Sequence, residues 1–482
     1  MTPLRSVKWL IALIATTMAF LEVMDMIIVT VSMRSMCGAL SASTAQISWT
    51  MSAYMISAAI VTPLTGLFVS RYGRRRVLLY GILGFALFSG LCGLANSLQM
   101  MIVFRVLQGA AGAPLTPLAQ SIMAEFFQAE ERHKAMALFS IGIMTAPLFG
   151  PIIGGYINDD ASWRFIFFIN VPICLLIYHF AYRYVQDTPL TKTPIDGLGL
   201  VTMVLGIGLL QFLLSEGSNY DWFNSRIMIL SAFLGMFSLT FFVVHSYGRS
   251  HRIINFAVFG DRNFIKALLL GVLFNAGFMA ATPLISIQLE AVLGYPAAYV
   301  GYLLAPRGLA SIVMMILMPG LMRHFKAPIL IEMGFILYAC GTDLLSQQSA
   351  LVMNHIAIVC STLLQGMATA FFFVPLSVVA YKTLPRDLIS QASGVFNFTR
   401  AWGGSLGLSI FVLLQEYSLQ NSWNHVHFQD AGPRAMGGLL QEIIRQTAML
   451  SYANTYFLIA LTFLVGFALA VGMLSTRIKN AI

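Results

Sequence analysis

Apolar runs long enough to cross a bilayer recur along the whole chain, parted by short polar breaks. Residues about 9–33, 46–69, 78–96, 99–122, 134–157 and 164–184 form a first six. Residues about 195–215 and 226–246 form a middle pair, and about 263–289, 298–322, 327–346, 355–381, 393–415 and 453–474 a last six. Each run has the roughly 17–25 residues that a hydrocarbon core of about 30 Å requires. That core holds no water, so each backbone amide must be paired inside its own segment, and the runs predict helices. The expected fold class is an all-α polytopic membrane protein with 14 transmembrane helices.

Composition sharpens this picture. Of 482 residues, 58% are hydrophobic and 10% charged, a balance that a water-soluble globule could not hide. The net charge of +9 invites a nucleic-acid reading, but its distribution argues for lipid. With the start of the chain placed in the cytoplasm, 20 of the 28 Lys and Arg fall in inner loops and tails and 5 in outer loops. The remaining 3, Arg105, Arg307 and Arg400, lie inside spans. This positive-inside bias puts both termini in the cytoplasm, and no nucleic acid is expected. Arg5 and Lys8 before an apolar run resemble a signal peptide. The run carries Glu22 and Asp25 and lacks a small-residue cleavage site, so it reads as the first membrane helix.

Most loops are very short, which divides the chain into three parts. Residues 1–190 read as a first six-helix bundle, 191–256 as a two-helix insertion with an inner linker, and 257–482 as a second bundle. Residues 416–452 form the only long outer loop, polar and mixed in charge, with a short helix expected around 435–449. Cys37, Cys92, Cys174, Cys340 and Cys360 show no metal-ligand spacing. His425 and His427, two apart in the outer loop, are a weak metal signal, and no metal or cofactor is expected.

Several strings carry more than hydrophobicity. Gly66-Leu-Phe-Val-Ser70-Arg71-Tyr72-Gly73-Arg74-Arg75-Arg76 joins the second and third runs. Gly66 permits close helix approach, Gly73 a tight turn, and the arginines hold the loop to the inner face. The fourth run contains Arg105-Val-Leu-Gln108-Gly109-Ala-Ala-Gly112-Ala-Pro114, and an arginine within a span points to function. The fifth contains Ala146-Pro147-Leu-Phe-Gly150-Pro151-Ile-Ile-Gly154-Gly155. Four residues separate the two prolines, and four separate Gly150 from Gly154, so kinks lie on one face and close packing on another. Trp163 to Pro172, Asp196-Gly197, Gln365-Gly366, Pro375 and Ser393-Gly394 with Asn397, Arg400 and Gly403-Gly404 complete the set.

Together these strings resemble the major facilitator superfamily, in its fourteen-helix drug:proton antiporters of the EmrB/QacA type. The resemblance covers nearly the whole chain. It implies two six-helix bundles around a central cavity, plus two extra central helices, with export driven by proton entry. Some such exporters hand substrate to a periplasmic adaptor and an outer-membrane channel, and the outer loop 416–452 would be the docking surface. Two departures stand out. Ser70 replaces the Asp that helps the family latch its halves on the inner side, which implies a weaker latch. The first helix reads Met24-Asp25-Met26-Ile27-Ile28-Val29-Thr30, keeping the family's acid but not its Thr and Asn, so a different substrate range is expected.

Depth bears on coupling. At 1.5 Å per residue, Asp25 lies about 24 Å up the first helix and Arg105 roughly 8–9 Å below the outer edge, both in the outer third. Glu22 sits one turn deeper on the same face as Asp25. An acid pair beside an arginine forms a proton site, since cation and neighbouring acid split the two carboxyl affinities. A permanent Arg–Asp tie between the first and fourth helices is the competing reading. Arg307 and Arg400 fall near mid-depth, about 14 Å in, with no acid of their half at that level. With Asn397 and Gln108 they form the expected substrate cavity, and unpaired arginines there would favour an anionic substrate. Backbone carbonyls at kinks could satisfy them instead. Phe371, Phe372 and Phe373 offer aromatic contact, with lipid-facing packing explaining some of them.

The expected function is proton-coupled export of small amphipathic molecules across a bacterial inner membrane. The alternative is a dedicated exporter of an acidic metabolite, such as a carboxylate siderophore. A lipid enzyme would need clustered His, Asp or Ser at one face. His179, His245 and His355 fall on separate runs without acidic neighbours in sequence, so no enzyme is expected. The glycine and proline string of the fifth run disfavours an uptake permease.

Overall fold

The computed structural model describes residues 5–190, 196–247, 253–349, 353–424 and 436–475, and among them no strand occurs. Among the described residues, fourteen long helices follow in order. They are α1 (Arg5–Ala39), α2 (Gln46–Tyr72), α3 (Arg74–Leu94), α4 (Leu98–Phe126), α5 (Ala129–Asp160), α6 (Phe165–Tyr184) and α7 (Gly197–Tyr220). Then come α8 (Arg226–Ser246), α9 (Arg262–Val292), α10 (Tyr299–His324), α11 (Ala327–Gln348), α12 (His355–Tyr381), α13 (Ile389–Asn424) and α14 (Met436–Ser475). Twelve of them contain segments long and apolar enough to cross a membrane. The other two, α5 and α13, are 32 and 36 residues long and occupy the two remaining expected places.

Local chemistry sets the ends. Ser43 caps α2 through a capping box, its side chain accepting from Gln46 N at 3.2 Å while Gln46 Oε1 accepts from Ser43 N at 2.9 Å. Such a pair satisfies two otherwise orphaned amides. Gly73 turns α2 into α3 with φ +88°, a value that side-chain-bearing residues rarely adopt. Arg164 Nη1 donates to the carbonyls of Gly93 at 2.9 Å and Ala95 at 2.6 Å, satisfying the exposed end of α3. Prolines interrupt others: α4 breaks at Ala113–Pro114, Pro283 lies inside α9, and Pro306 and Pro319 lie inside α10.

The long outer loop needs correcting. Helix α13 continues to Asn424 and α14 starts at Met436, so residues 416–424 and 436–452 are helical. Hydropathy marks where the hydrocarbon ends, whereas a polar helix continues past it. His425 and His427 lie outside the described residues.

Two compact units form, one of Met1–Ile265 with Ser377–Trp402, the other of Lys266–Leu376 with Gly403–Ile482. In lipid, helix association rests on close van der Waals packing and buried hydrogen bonds rather than on water exclusion. In the first unit, α1 lies against α5 at glycines. A Cβ at Gly142 would come within 2.4 Å of Thr16 Cγ2, and one at Gly154 within 2.5 Å of Ile28 Cγ1. The middle pair docks on α2, where Met203, Ile207 and Phe242 cluster with Leu64 and Leu67. His245 of α8 meets Asp196, the N-cap of α7, at 3.0 Å, an acidic neighbour that its own stretch of sequence does not show.

The second unit centres on rings. Phe274 stacks on Phe372 at 3.8 Å between centroids and meets Phe335, Tyr338, Phe373 and Phe463 edge-on. Phe371, Phe372 and Phe373 are all buried, so lipid-facing packing accounts for none of them.

Candidate transport site

In the first unit, α1 carries Asp25 to α4. Arg105 Nη1 donates to Asp25 Oδ2 at 2.6 Å. The other carboxylate oxygen accepts from Gln108 Nε2 at 3.0 Å and from Asn170 Nδ2 at 2.7 Å. Gln108 turns its own oxygen back to Arg105 Nη1 at 2.9 Å, one helical turn away. Arg105 Nε donates to the Thr50 carbonyl at 3.4 Å, and its guanidinium lies 4.4 Å from the Tyr54 ring centre. Asp25, Arg105, Gln108 and Asn170 have no exposed surface. Taking two charges out of water costs several kcal/mol each, offset only where geometry and further donors are good. Three donors reach this carboxylate. The arrangement links α1, α4 and α6.

Glu22 is handled differently. Helix α4 breaks at Ala113–Pro114 and restarts at Leu115, which creates a helix N-terminus within the span. The first amides of a helix have no partner within it and attract negative charge. Glu22 Oε2 accepts from the Thr116 amide at 3.0 Å and the Thr116 hydroxyl at 2.6 Å. Glu22 is only half-buried, and Arg400 of α13 and Asp25 lie within its electrostatic reach. Asp25 is bound to Arg105, while Glu22 accepts from a helix end with Arg400 within electrostatic reach.

The basic loop end is also built. Arg74, nearly buried, reaches Glu125 Oε2 at 2.5 Å and Ser390 Oγ at 3.3 Å. Gly66 lies so near α13 that a Cβ would meet Gln391 Cα at 2.6 Å. Gly73 packs against Asp187, which accepts from the Arg75 amide at 3.2 Å. Exposed Arg71 lies 5.9 Å from the Tyr72 ring centre. The acid that Arg74 meets is Glu125. On α5, Gly150 and Gly154 face Ile27 and Ile28 of α1, and Gly155 is half-buried. The side chains of Pro147 and Pro151 lie outside those described.

The expected cavity set divides. Gln108 belongs to the Asp25 tie. Asn397 Nδ2 donates to Gln120 Oε1 at 2.5 Å and to the Ser393 carbonyl at 2.9 Å. Arg400 has an acid in reach after all, because Glu22 comes from the other half of the sequence. Arg307 belongs to the second unit. Its Nη1 donates to Thr282 Oγ1 at 2.6 Å and its Nη2 to Tyr338 Oη at 2.7 Å. These are side-chain hydroxyls rather than kink carbonyls, and Tyr338 brings α11 to this arginine. Sequence reasoning missed Thr116, Asn170, Thr282 and Tyr338; polar residues within spans were the available signal.

Comparison with known proteins agrees with this architecture. The sequence profile of the Major Facilitator Superfamily matches residues 13–408. The chain is 34% identical over 406 residues to the Multidrug export protein EmrB of Haemophilus influenzae, covering 83% of this chain and 80% of that one. It is 30% identical over 417 residues to the Fatty acid resistance protein FarB of Neisseria gonorrhoeae, covering 85% and 81%. The fold is similar to that of the proton:xylose symporter XylE, with TM-score 0.63, 16% identity and 95% coverage of both chains.

Proposed function

The chain belongs to the major facilitator superfamily, in its EmrB-type branch, and is a membrane transporter rather than an enzyme; on that premise we propose that it exports small amphipathic molecules in exchange for protons. The relatives' names, one for multidrug export and one for fatty acid resistance, support that substrate class. We place it in a bacterial cytoplasmic membrane with both termini inside, as the Lys and Arg distribution favours. A periplasmic adaptor and outer-membrane channel would complete the export route in a two-membrane cell.

The observation that carries the coupling proposal is the half-buried Glu22 on a helix end inside α4. Ionised, it holds the Thr116 amide and hydroxyl and attracts Arg400. A proton arriving from outside removes that charge and releases Arg400 from it. Loss of the proton to the cytoplasm restores the attraction. Asp25 and Arg105 keep α1 seated on α4 throughout, so the switch works against a fixed frame. The proton gradient drives the exchange, and the low dielectric of the interior makes the attraction between Glu22 and Arg400 strong enough to respond to one proton.

Everted vesicles test this. With a proton gradient, the wild type should accumulate ethidium against its gradient. Glu22→Gln should lose uphill accumulation while keeping dye-for-dye exchange. Undiminished uphill accumulation by Glu22→Gln would remove Glu22 from the coupling step.

A further inference from the structure

We propose that Arg307 is a headgroup site for carboxylate-bearing amphipaths, so that acidic molecules are substrates of this exporter; this rests on the export reading above and adds a charge class to it. Arg307 lies within the span of α10 and is half-buried. Its partners among the described residues are two hydroxyls, Thr282 and Tyr338, and two ring faces. None is a carboxylate. Neutral hydroxyls orient a guanidinium but leave its charge uncompensated, and an uncompensated charge inside a membrane is costly. The contrast with Arg105 is direct, because that arginine has Asp25 at 2.6 Å.

The geometry suits an anion. A guanidinium has five N–H donors, and Arg307 gives one to each hydroxyl. The remaining donors lie in the same plane, where a carboxylate accepts bidentately. The Phe278 ring covers one face, its centre 4.9 Å from the Arg307 Cζ, so approach is edge-on and an apolar surface lies beside the headgroup. Thr282 is exposed while Tyr338 is fully buried, so the free side is that of Thr282. The backbone holds the arginine in place. Pro306 precedes it inside α10, and a Cβ at Gly366 of α12 would strike the Arg307 carbonyl oxygen at 2.2 Å. The backbone is therefore fixed, and the two hydroxyls hold the guanidinium within the span.

Purified full-length protein in proteoliposomes, driven by a proton gradient, separates the outcomes with two probes, decanoate and ethidium. The wild type should transport both. Arg307→Gln should raise the KM for decanoate by about tenfold or more, the scale of a lost charged hydrogen bond, with the ethidium KM unchanged. Arg307→Lys, which keeps the charge without the fork, should fall between. Thr282→Val with Tyr338→Phe, which keeps the arginine but not its supports, should raise the decanoate KM and spare ethidium, and it stands in if Arg307→Gln fails to fold. Equal losses for both probes in a folded variant would make Arg307 structural and overturn the proposal. Ethidium transport by the wild type without decanoate transport would overturn it while leaving the export reading intact. Failure of both probes in the wild type would overturn the two together.

Discussion

Asp25 and Arg105 show how much one buried contact can carry. Each is fully shielded, and each supplies the other's main charge partner. Removing one partner of such a pair leaves an uncompensated buried charge, which costs about 3–5 kcal/mol. Arg105→Met should lower the unfolding free energy by about that amount in denaturant titrations of detergent-solubilised protein. Asp25→Asn combined with Arg105→Gln should cost less than the sum of the two single changes, because the pair is coupled. Strict additivity would show that the two groups do not support each other. The meeting of these residues was legible in the sequence, because rise per residue places both in the outer third of the membrane. Their lateral partners were not. Depth along one helix says nothing of which helix stands beside it, so Asn170 of α6 could not be assigned to Asp25. Glu22 shares a helix face with Asp25, and the restart of α4 at Leu115, which spacing along α1 does not show, offers it an amide of its own.

Among the elements, α1 and α5 are closely fitted by small residues. A side chain at Gly154 would collide with Ile28 both at its Cγ1, 2.5 Å away, and at its carbonyl oxygen, 3.3 Å away. The carbonyl cannot rotate aside, so Gly154→Val should push α1 from α5 and, through α1, disturb the Asp25 tie. Overpacking of a fitted core costs typically about 1–3 kcal/mol. Thermal unfolding in detergent should show a lower midpoint, partly recovered when Ile28→Ala is added. No recovery would place the strain at the backbone contact alone. This glycine spacing was legible, because four residues form one turn and return to the same face. The ends of α13 and α14 were not. Their polar stretches, rich in Gln and Asn, read as a loop, although polarity excludes only the hydrocarbon and leaves a helix free to continue in water.

For the whole molecule, those extensions decide where an adaptor could hold the transporter. At about 1.5 Å per residue, the 36 residues of α13 and the 40 of α14 make helices well beyond the length of a bilayer core. The pair is tied together near that core. Ser451 Oγ donates to the Gln415 carbonyl at 2.6 Å, and Asn454 Nδ2 to Ser418 Oγ at 3.2 Å. Arg445 Nε fixes α14 by donating to the Val292 carbonyl at 3.1 Å. A cut from 418 to 446 would remove two of these ties and so test folding rather than docking. A Gly/Ser linker in place of residues 420–440 leaves all three intact while removing the helical tips. If a periplasmic partner grips those tips, this variant should transport ethidium normally in everted vesicles yet export less from whole cells. Cysteines at exposed positions such as Tyr417 should crosslink to that partner in cells. Unchanged whole-cell export by the linker variant would mean that no adaptor binds there. The two assays divide the question cleanly, because vesicles need only the membrane protein, whereas export past a second membrane needs everything the tips would recruit.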